Sequence, residues 1–218
     1  MKRRFSLVAA LTLALLAPLP AGEPLNLSRA KEAALTYLNS GEYGRDMARA
    51  AAKAGRYVSA RAARPLKPGE KRAIVFDIDE TTLTNLSHIT AQDFGYVPAV
   101  WDRWVAEGQG RVIAPVQLVY DIAVKHNVAV FFITARPESQ RAVTERNLRQ
   151  VGYATWEKAF FEPEDSHAAS QEYKTGVRRQ LVAEGWTIIA NVGDQETDLA
   201  GGFAERTFKL PNPFYLVK

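Results

Sequence analysis

Three short apolar runs limit the folds open to this chain. Residues 72–77 (Arg-Ala-Ile-Val-Phe-Asp), 128–134 (Val-Ala-Val-Phe-Phe-Ile-Thr) and 186–194 (Trp-Thr-Ile-Ile-Ala-Asn-Val-Gly-Asp) each end on a polar residue. A strand that is apolar without alternation is buried on both faces, which is the habit of a parallel sheet. A weaker fourth run occupies 156–161, and residues 115–126, 138–151 and 166–184 between the runs read as helices. Strands alternating with helices predict an α/β fold, a parallel sheet with helices on both faces. Ligands of such sheets bind at the carboxyl ends of the strands. Asp77, Thr134 and Asp194 are therefore expected to converge on one crevice.

The rest of the chain frames this core. Leu27, Ala30, Ala34, Tyr37 and Leu38 fall at helical spacing, which predicts a helix over 26–39 with Asn26 or Ser28 as its cap. An Ala- and Arg-rich stretch at 46–63 predicts a second helix, and Pro65, Pro68 and Gly69 then break the chain. These readings divide the sequence into an N-terminal helical extension at 22–70 and a core at 71–218. Residues 83–111 fit no strand-helix repeat and are expected to form an insertion over the crevice, a small cap. Phe94, Tyr96, Trp101 and Trp104 lie in it, either as the cap's own core or as a surface on which an aromatic ring stacks.

Lys2, Arg3 and Arg4, an apolar run at 5–17, and the small and proline residues up to Gly22 read as a secretory signal peptide over 1–21. The run is shorter than the roughly 20 residues of a membrane span, so no stable anchoring is expected after cleavage, and a secreted or periplasmic protein follows. Without Lys2, Arg3 and Arg4 the formal charge falls from +4 to +1, so the pI of 9.3 reflects the leader in part and no nucleic-acid partner is indicated. The chain has no Cys, which excludes disulfides, thiolate metal sites and a cysteine nucleophile.

The chemistry concentrates at the strand ends. Asp77 and Asp79, two apart, leave the first strand on the same side. Such a pair divides two tasks, attack on phosphorus by one carboxylate and proton delivery to the departing alcohol by the other, because like charges push their pKa values apart. Mg²⁺ would relieve the repulsion between a carboxylate nucleophile and an anionic ester. Thr81 follows as a local support for the loop, and Asn85 lies close enough to touch substrate. Asp194, after Gly193, adds a hard oxygen ligand suited to Mg²⁺, with Asp198 behind it. Thr134, Ala135 and Arg136 offer a hydroxyl, amides and a guanidinium to phosphate, and Pro137 suits the first position of the next helix. Arg136 is balanced between that contact and an internal ion pair. Lys174 could neutralise nucleophile and phosphate together; alone it reads as a solvated helix residue, and its claim rests on its order relative to the other motifs. His88, His126 and His167 show no metal spacing and read as surface or helix-end residues. Asn26-Leu27-Ser28 and Asn85-Leu86-Ser87 match the glycosylation pattern.

The order Asp77-x-Asp79-x-Thr81, Thr134, Lys174, Asp194 and Asp198 resembles the four motifs of the haloacid dehalogenase (HAD) superfamily. Phe76-Asp77-Ile78-Asp79-Glu80-Thr81-Thr82-Leu83, Gly152-Tyr153-Ala154-Thr155-Trp156-Glu157-Lys158, Gly193-Asp194-Gln195 and Phe208-Lys209-Leu210-Pro211-Asn212-Pro213 look like the acid phosphatase group that includes plant vegetative storage proteins and bacterial class B-type enzymes. This resemblance covers about two-thirds of the chain, from Arg72 onward. It implies a Rossmann-like core and Mg²⁺-dependent hydrolysis of small phosphomonoesters, nucleotides among the candidates. Asp77 would be the nucleophile, Asp79 the general acid, and Asp77, Asp79 (through its carbonyl) and Asp194 the metal ligands, with Thr134 and Lys174 on phosphate. The alternative is a storage or binding protein of the same fold with little activity; retention of Asp77 argues against it.

Overall fold

The structure, a computed structural model, describes residues 24–217; the expected signal peptide lies outside them. In chain order the elements are α1 (Leu27–Asn39), α2 (Glu42–Ala62), β1 (Lys71–Phe76), β2 (Leu83–Thr84), α3 (Leu86–Ala91), α4 (Pro98–Glu107), β3 (Arg111–Val112) and α5 (Ala114–Lys125). Then come β4 (Ala129–Pro137), a 3₁₀ turn (Glu138–Gln140), α6 (Arg141–Gln150), β5 (Lys158–Glu162), α7 (Ser170–Ala183), β6 (Trp186–Gly193), α8 (Glu196–Leu199) and β7 (Thr207–Lys209). Five strands form one sheet in the order β5-β4-β1-β6-β7, and each neighbouring pair is parallel.

The apolar runs dictate this arrangement. In β1, Ile74 and Phe76 join one buried cluster while Ala73 and Val75 join the other, so both faces are covered. β4 repeats the division, with Val130 and Phe132 on the first side and Phe131 and Ile133 on the second. α2 and α5 cover the first face; α7, through Val177 and Leu181, covers the second. The buried residues of α2 include Met47, Ala51, Ala54 and Val58, spaced to form one helical stripe. Its Gly55 lets α5 approach, since a Cβ there would lie 3.0 Å from Ile122 Cδ1. α1 buries no residue; Asn26 caps it by accepting from the Ser28 and Arg29 amides.

The insertion begins and ends in a two-stranded antiparallel ribbon, with Leu83 opposite Val112 and Thr84 opposite Arg111. Between those strands lie α3 and α4. Pro98 opens α4, and Gly108 in the left-handed region ends it.

Several boundaries differ from the sequence reading. β4 continues past Thr134 to Pro137, which pairs with Glu162, so the helix expected from 138 becomes a 3₁₀ turn followed by α6. α7 starts at Ser170 rather than 166. α2 starts at Glu42, because Gly41 turns the chain in the left-handed region directly after α1. α8 and β7, four and three residues long, were not anticipated. The chain moves from β1 to β4 and β5 on one side and to β6 and β7 on the other. The crevice at that reversal lies above the carboxyl ends of β1, β4 and β6. Among the described residues, no helix is long and apolar enough to cross a membrane.

Candidate active site

Asp77 stands immediately after β1, its amide donating to the Val192 carbonyl of β6 at 3.0 Å. Lys174 of α7 donates to Asp77 Oδ1 at 2.6 Å and to Asp198 Oδ1 at 2.6 Å. All three side chains are buried. Burial, reinforced by Asp198, pushes the Asp77 carboxyl well above the usual carboxylate range, and the Lys174 ammonium opposes that rise. For Lys174, burial favours the neutral amine, but the two carboxylates outweigh it and hold the ammonium protonated. Among the described residues, Asp77 Oδ2 accepts no hydrogen bond from the protein.

Asp194 follows β6. Its Oδ1 accepts from Thr81 Oγ1 at 3.0 Å, and its Oδ2 from Gln195 Nε2 at 2.6 Å and Asn212 Nδ2 at 2.7 Å. Burial and then Asp198 raise its carboxyl to about 6, against these donors. Asp198 Oδ2 accepts the Gln195 amide at 2.8 Å and caps α8. Gly193 makes that placement possible: a Cβ there would sit 2.8 Å from Asp198 Cγ and collide with the rest of the side chain. One carboxylate oxygen each from Asp77, Asp194 and Asp198 lie within 4.8 Å of one another. Three convergent carboxylates, each accepting at least one hydrogen bond, suit a hard divalent cation such as Mg²⁺.

Asp79 is held differently. Arg136 Nη2 donates to its Oδ1 at 2.6 Å and Arg136 Nε to its Oδ2 at 3.0 Å, while Asn85 Nδ2 reaches Oδ1 at 2.8 Å. Burial would raise the carboxyl, but Arg136 and these donors outweigh burial and keep it below the usual range. Arg136, whose Nη1 also donates to Thr144 Oγ1 at 3.0 Å, thus takes the internal ion pair of its two sequence readings.

A cavity of about 690 Å³ opens above these groups. Asp77, Asp79, Lys174, Asp194 and Asp198 line it with polar groups; Phe94, Tyr96 and Trp101 of the insertion line it together with Phe214 and Tyr215, Phe94 stacking on Phe214 at 6.2 Å. Ala135 lines the cavity, whereas Thr134 is fully buried and its Oγ1 accepts the Arg136 amide at 3.1 Å. Thr81 and Asn85 also lie behind the cavity wall, Thr81 supporting Asp194 and Asn85 supporting Asp79. The two tryptophans divide: Trp101 lines the cavity, and Trp104 turns inward with its Nε1 donating to Asn85 Oδ1 at 2.8 Å. His88, expected at the surface or at a helix end, lies in the last turn of α3 and is half-buried. It stacks on Trp104 at 5.4 Å and lines the cavity, and burial lowers its pKa.

Glu80, Gln195, Asn212 and Tyr215 were not singled out from the sequence. Glu80 is fully buried in a left-handed backbone conformation (φ 54°), and accepts from the Asn85 amide at 2.5 Å and Tyr215 Oη at 3.1 Å. Burial, with the Asp79 charge, raises it to about 8. Glu80, Gln195 and Asn212 all sit inside the quoted motif stretches, so the signal was present but their contacts are made only by folding.

The carboxylate cluster at a parallel sheet edge, with an insertion above it, is the arrangement of a HAD-fold protein. The chain belongs to the HAD superfamily, subfamily IIIB (acid phosphatase), whose description it matches over residues 24–218. It is 36% identical over 163 residues to a stem 28 kDa glycoprotein of Glycine max, covering 72% of this chain and 64% of that one. It is 35% identical over 148 residues to acid phosphatase 1 of Solanum lycopersicum, covering 66% and 58% respectively. The chain thus spans less than two-thirds of the length of these relatives. A class C acid phosphatase from Bacillus anthracis, solved with tungstate bound, superposes with a TM-score of 0.70 over 86% of this chain and 85% of that one at 23% identity, which shows the shared fold.

Proposed function

We propose that this chain is a phosphomonoesterase acting through an aspartyl-phosphate on Asp77. The observation that carries the reading is the Lys174 ammonium held between Asp77 and Asp198, beside Asp194 and within the cavity that also admits Asp79. Lys174 orients Asp77 Oδ1 and leaves Oδ2 to attack phosphorus. The new carboxylate oxygen–phosphorus bond forms as the ester oxygen–phosphorus bond breaks. Asp79 gives its proton to the departing oxygen, which leaves as an alcohol. Asp79, now ionised, takes a proton from water. That water attacks the same phosphorus, releases inorganic phosphate and restores Asp77. The Lys174 charge and the exposed backbone at Ala135 would receive the phosphate oxygens. A divalent cation, Mg²⁺ on this donor set, would be held by Asp77, Asp194 and Asp198 with the Asp79 carbonyl, and would offset the charge between nucleophile and ester.

Arg136 keeps Asp79 ionised at neutral pH, so loading it with a proton favours an acidic medium, whereas Asp77, raised by burial, needs the Lys174 ammonium and a bound cation to stay ionised there. The aromatic walls suit esters with a flat leaving group, nucleotides among them. We also infer export to the periplasm or exterior, from the basic start and apolar run ahead of residue 22.

The test is hydrolysis of a panel of phosphomonoesters with Mg²⁺ from acidic to neutral pH. Asp77→Asn should lower kcat by about 10³-fold or more, since it removes the nucleophile. Chelation should abolish turnover, and Mg²⁺ should restore it. Absence of turnover by the wild-type protein across the panel would leave the storage or binding reading in its place.

A further inference from the structure

We propose that Trp104 and Asn85 form a positioning relay, reaching from the insertion, that fixes how the Asp79 carboxylate is presented to the leaving group. The inference rests on the reading of Asp79 as general acid. Asn85 is fully buried between β2 and α3. Its amide oxygen accepts from Trp104 Nε1 at 2.8 Å and its amide nitrogen donates to Asp79 Oδ1 at 2.8 Å.

An asparagine amide can turn end for end with little change in shape, so its partners must decide which end faces which neighbour. The indole nitrogen is only a donor, and therefore requires the Asn85 oxygen on its side. The amino group is then obliged to face Asp79. It also reaches Glu80 Oε2 at 3.2 Å. Asp79 Oδ1 consequently receives three donors: Asn85 Nδ2 at 2.8 Å, Arg136 Nη2 at 2.6 Å and Arg136 Nε at 3.2 Å. Oδ2 receives only Arg136 Nε, at 3.0 Å. Oδ1 is thus committed to N–H donors, and Oδ2, with the free lone-pair capacity, is left to serve the leaving oxygen.

The indole is itself held. His88 stacks on it at 5.4 Å with the planes 24° apart. Trp104 also belongs to α4, whose Trp101 and Asp102 line the cavity. One helix thus presents residues to the leaving group on one side and sets the proton donor on the other.

Trp104→Phe keeps the ring and removes the donor. Its kcat and KM should be measured, with saturating Mg²⁺, on an alkyl phosphate and on 4-nitrophenyl phosphate. The alkyl leaving group needs the proton; the nitrophenolate hardly does. The expected result is a kcat loss of about three- to tenfold on the alkyl ester, the order of one hydrogen bond, and a clearly smaller loss on the activated ester. KM should change little on either. Asn85→Ser should show the same split, more strongly, and serves if Trp104→Phe does not fold by circular dichroism. Equal losses on both esters, or a change confined to KM, would overturn the relay while leaving the phosphatase reading intact. A wild-type protein that turns over neither ester overturns both.

Discussion

Gly193 shows how a single absent side chain shapes the site. Its Cα passes so close to Asp198 that a methyl group would displace a carboxylate hydrogen-bonded to both Lys174 and the Gln195 amide. Gly193→Ala should therefore weaken Mg²⁺ activation about 10- to 100-fold, the scale seen when the supports of metal ligands are lost. A titration of activity against Mg²⁺ reads this directly; an unchanged half-saturation point would mean that Asp198 does not help to place the cation. The sequence placed Gly193 before Asp194 and Asp198 behind it, but the close contact between Gly193 and Asp198 is made only by folding. Asp77, Asp79 and Asp194 could be singled out because they follow apolar strand runs; Lys174 of α7 and Asp198 of α8 were singled out by their order relative to those motifs. Arg136 was not decidable, because a guanidinium beside a phosphate site and a guanidinium beside Asp79 look the same in sequence. Asn212 and Thr81 reach Asp194 across chain separations of 18 and 113 residues, and no local pattern records such contacts.

At the scale of elements, burial separates two helices that the sequence presents as a pair. α2 places Met47 and Val58 in the main apolar cluster and packs along α5, whereas α1 buries nothing and leaves Leu27 68% exposed. Met47→Ala should cost about 2–5 kcal/mol of stability by opening a cavity against the sheet. Leu27→Ala should stay within about 0.5 kcal/mol. Urea unfolding of both variants compares them, and a similar cost for the two would contradict the burial pattern. The central strands were legible because β1, β4 and β6 are covered on both faces and so carry runs that are almost wholly apolar; Asn191, buried in β6, is an exception whose Nδ2 donates to the Asp198 carbonyl at 2.9 Å. β7 offers only Phe208 between two exposed residues, too short for any periodicity. Its place is set by pairing with β6, where Phe208 lies opposite Val192. The overrun of β4 has a similar cause, since Pro137 is drawn into the sheet by Glu162 rather than by its own preference.

Across the whole molecule, two sets of acids respond to pH in opposite directions. Hydrogen bonds from Arg72, the Lys67 amide and Arg61 hold Glu70 at about 2, down from 4.5. Its contribution is present above the unfolded value and disappears as pH falls toward 2. The network matters to the fold because Arg61 also binds Glu205, joining the end of α2 to the turn before β7. The buried acids Glu80 and Asp194 behave in the reverse sense. Glu80 rises from 4.5 to about 8 and Asp194 from 3.8 to about 6, burial being the main cause in each case. The folded state therefore holds these protons more tightly than the unfolded chain. Their contribution is complete at acid pH and is lost as pH rises through about 6 and then about 8. The two windows meet near pH 4.5, the ordinary carboxylate value from which both shifts are counted. Chelated, metal-free protein should accordingly show its highest melting temperature at about pH 4–5, with a decline on either side. Glu70→Gln should reduce the acid-side decline, to which Asp79 and Glu205 also contribute, and leave the alkaline one. Mg²⁺ binding needs ionised ligands, so it should raise the melting temperature more at pH 8 than at pH 5. A metal-free melting temperature that does not fall between pH 5 and 8, or an equal Mg²⁺ effect at both, would show that the buried acids do not carry the protons their burial implies.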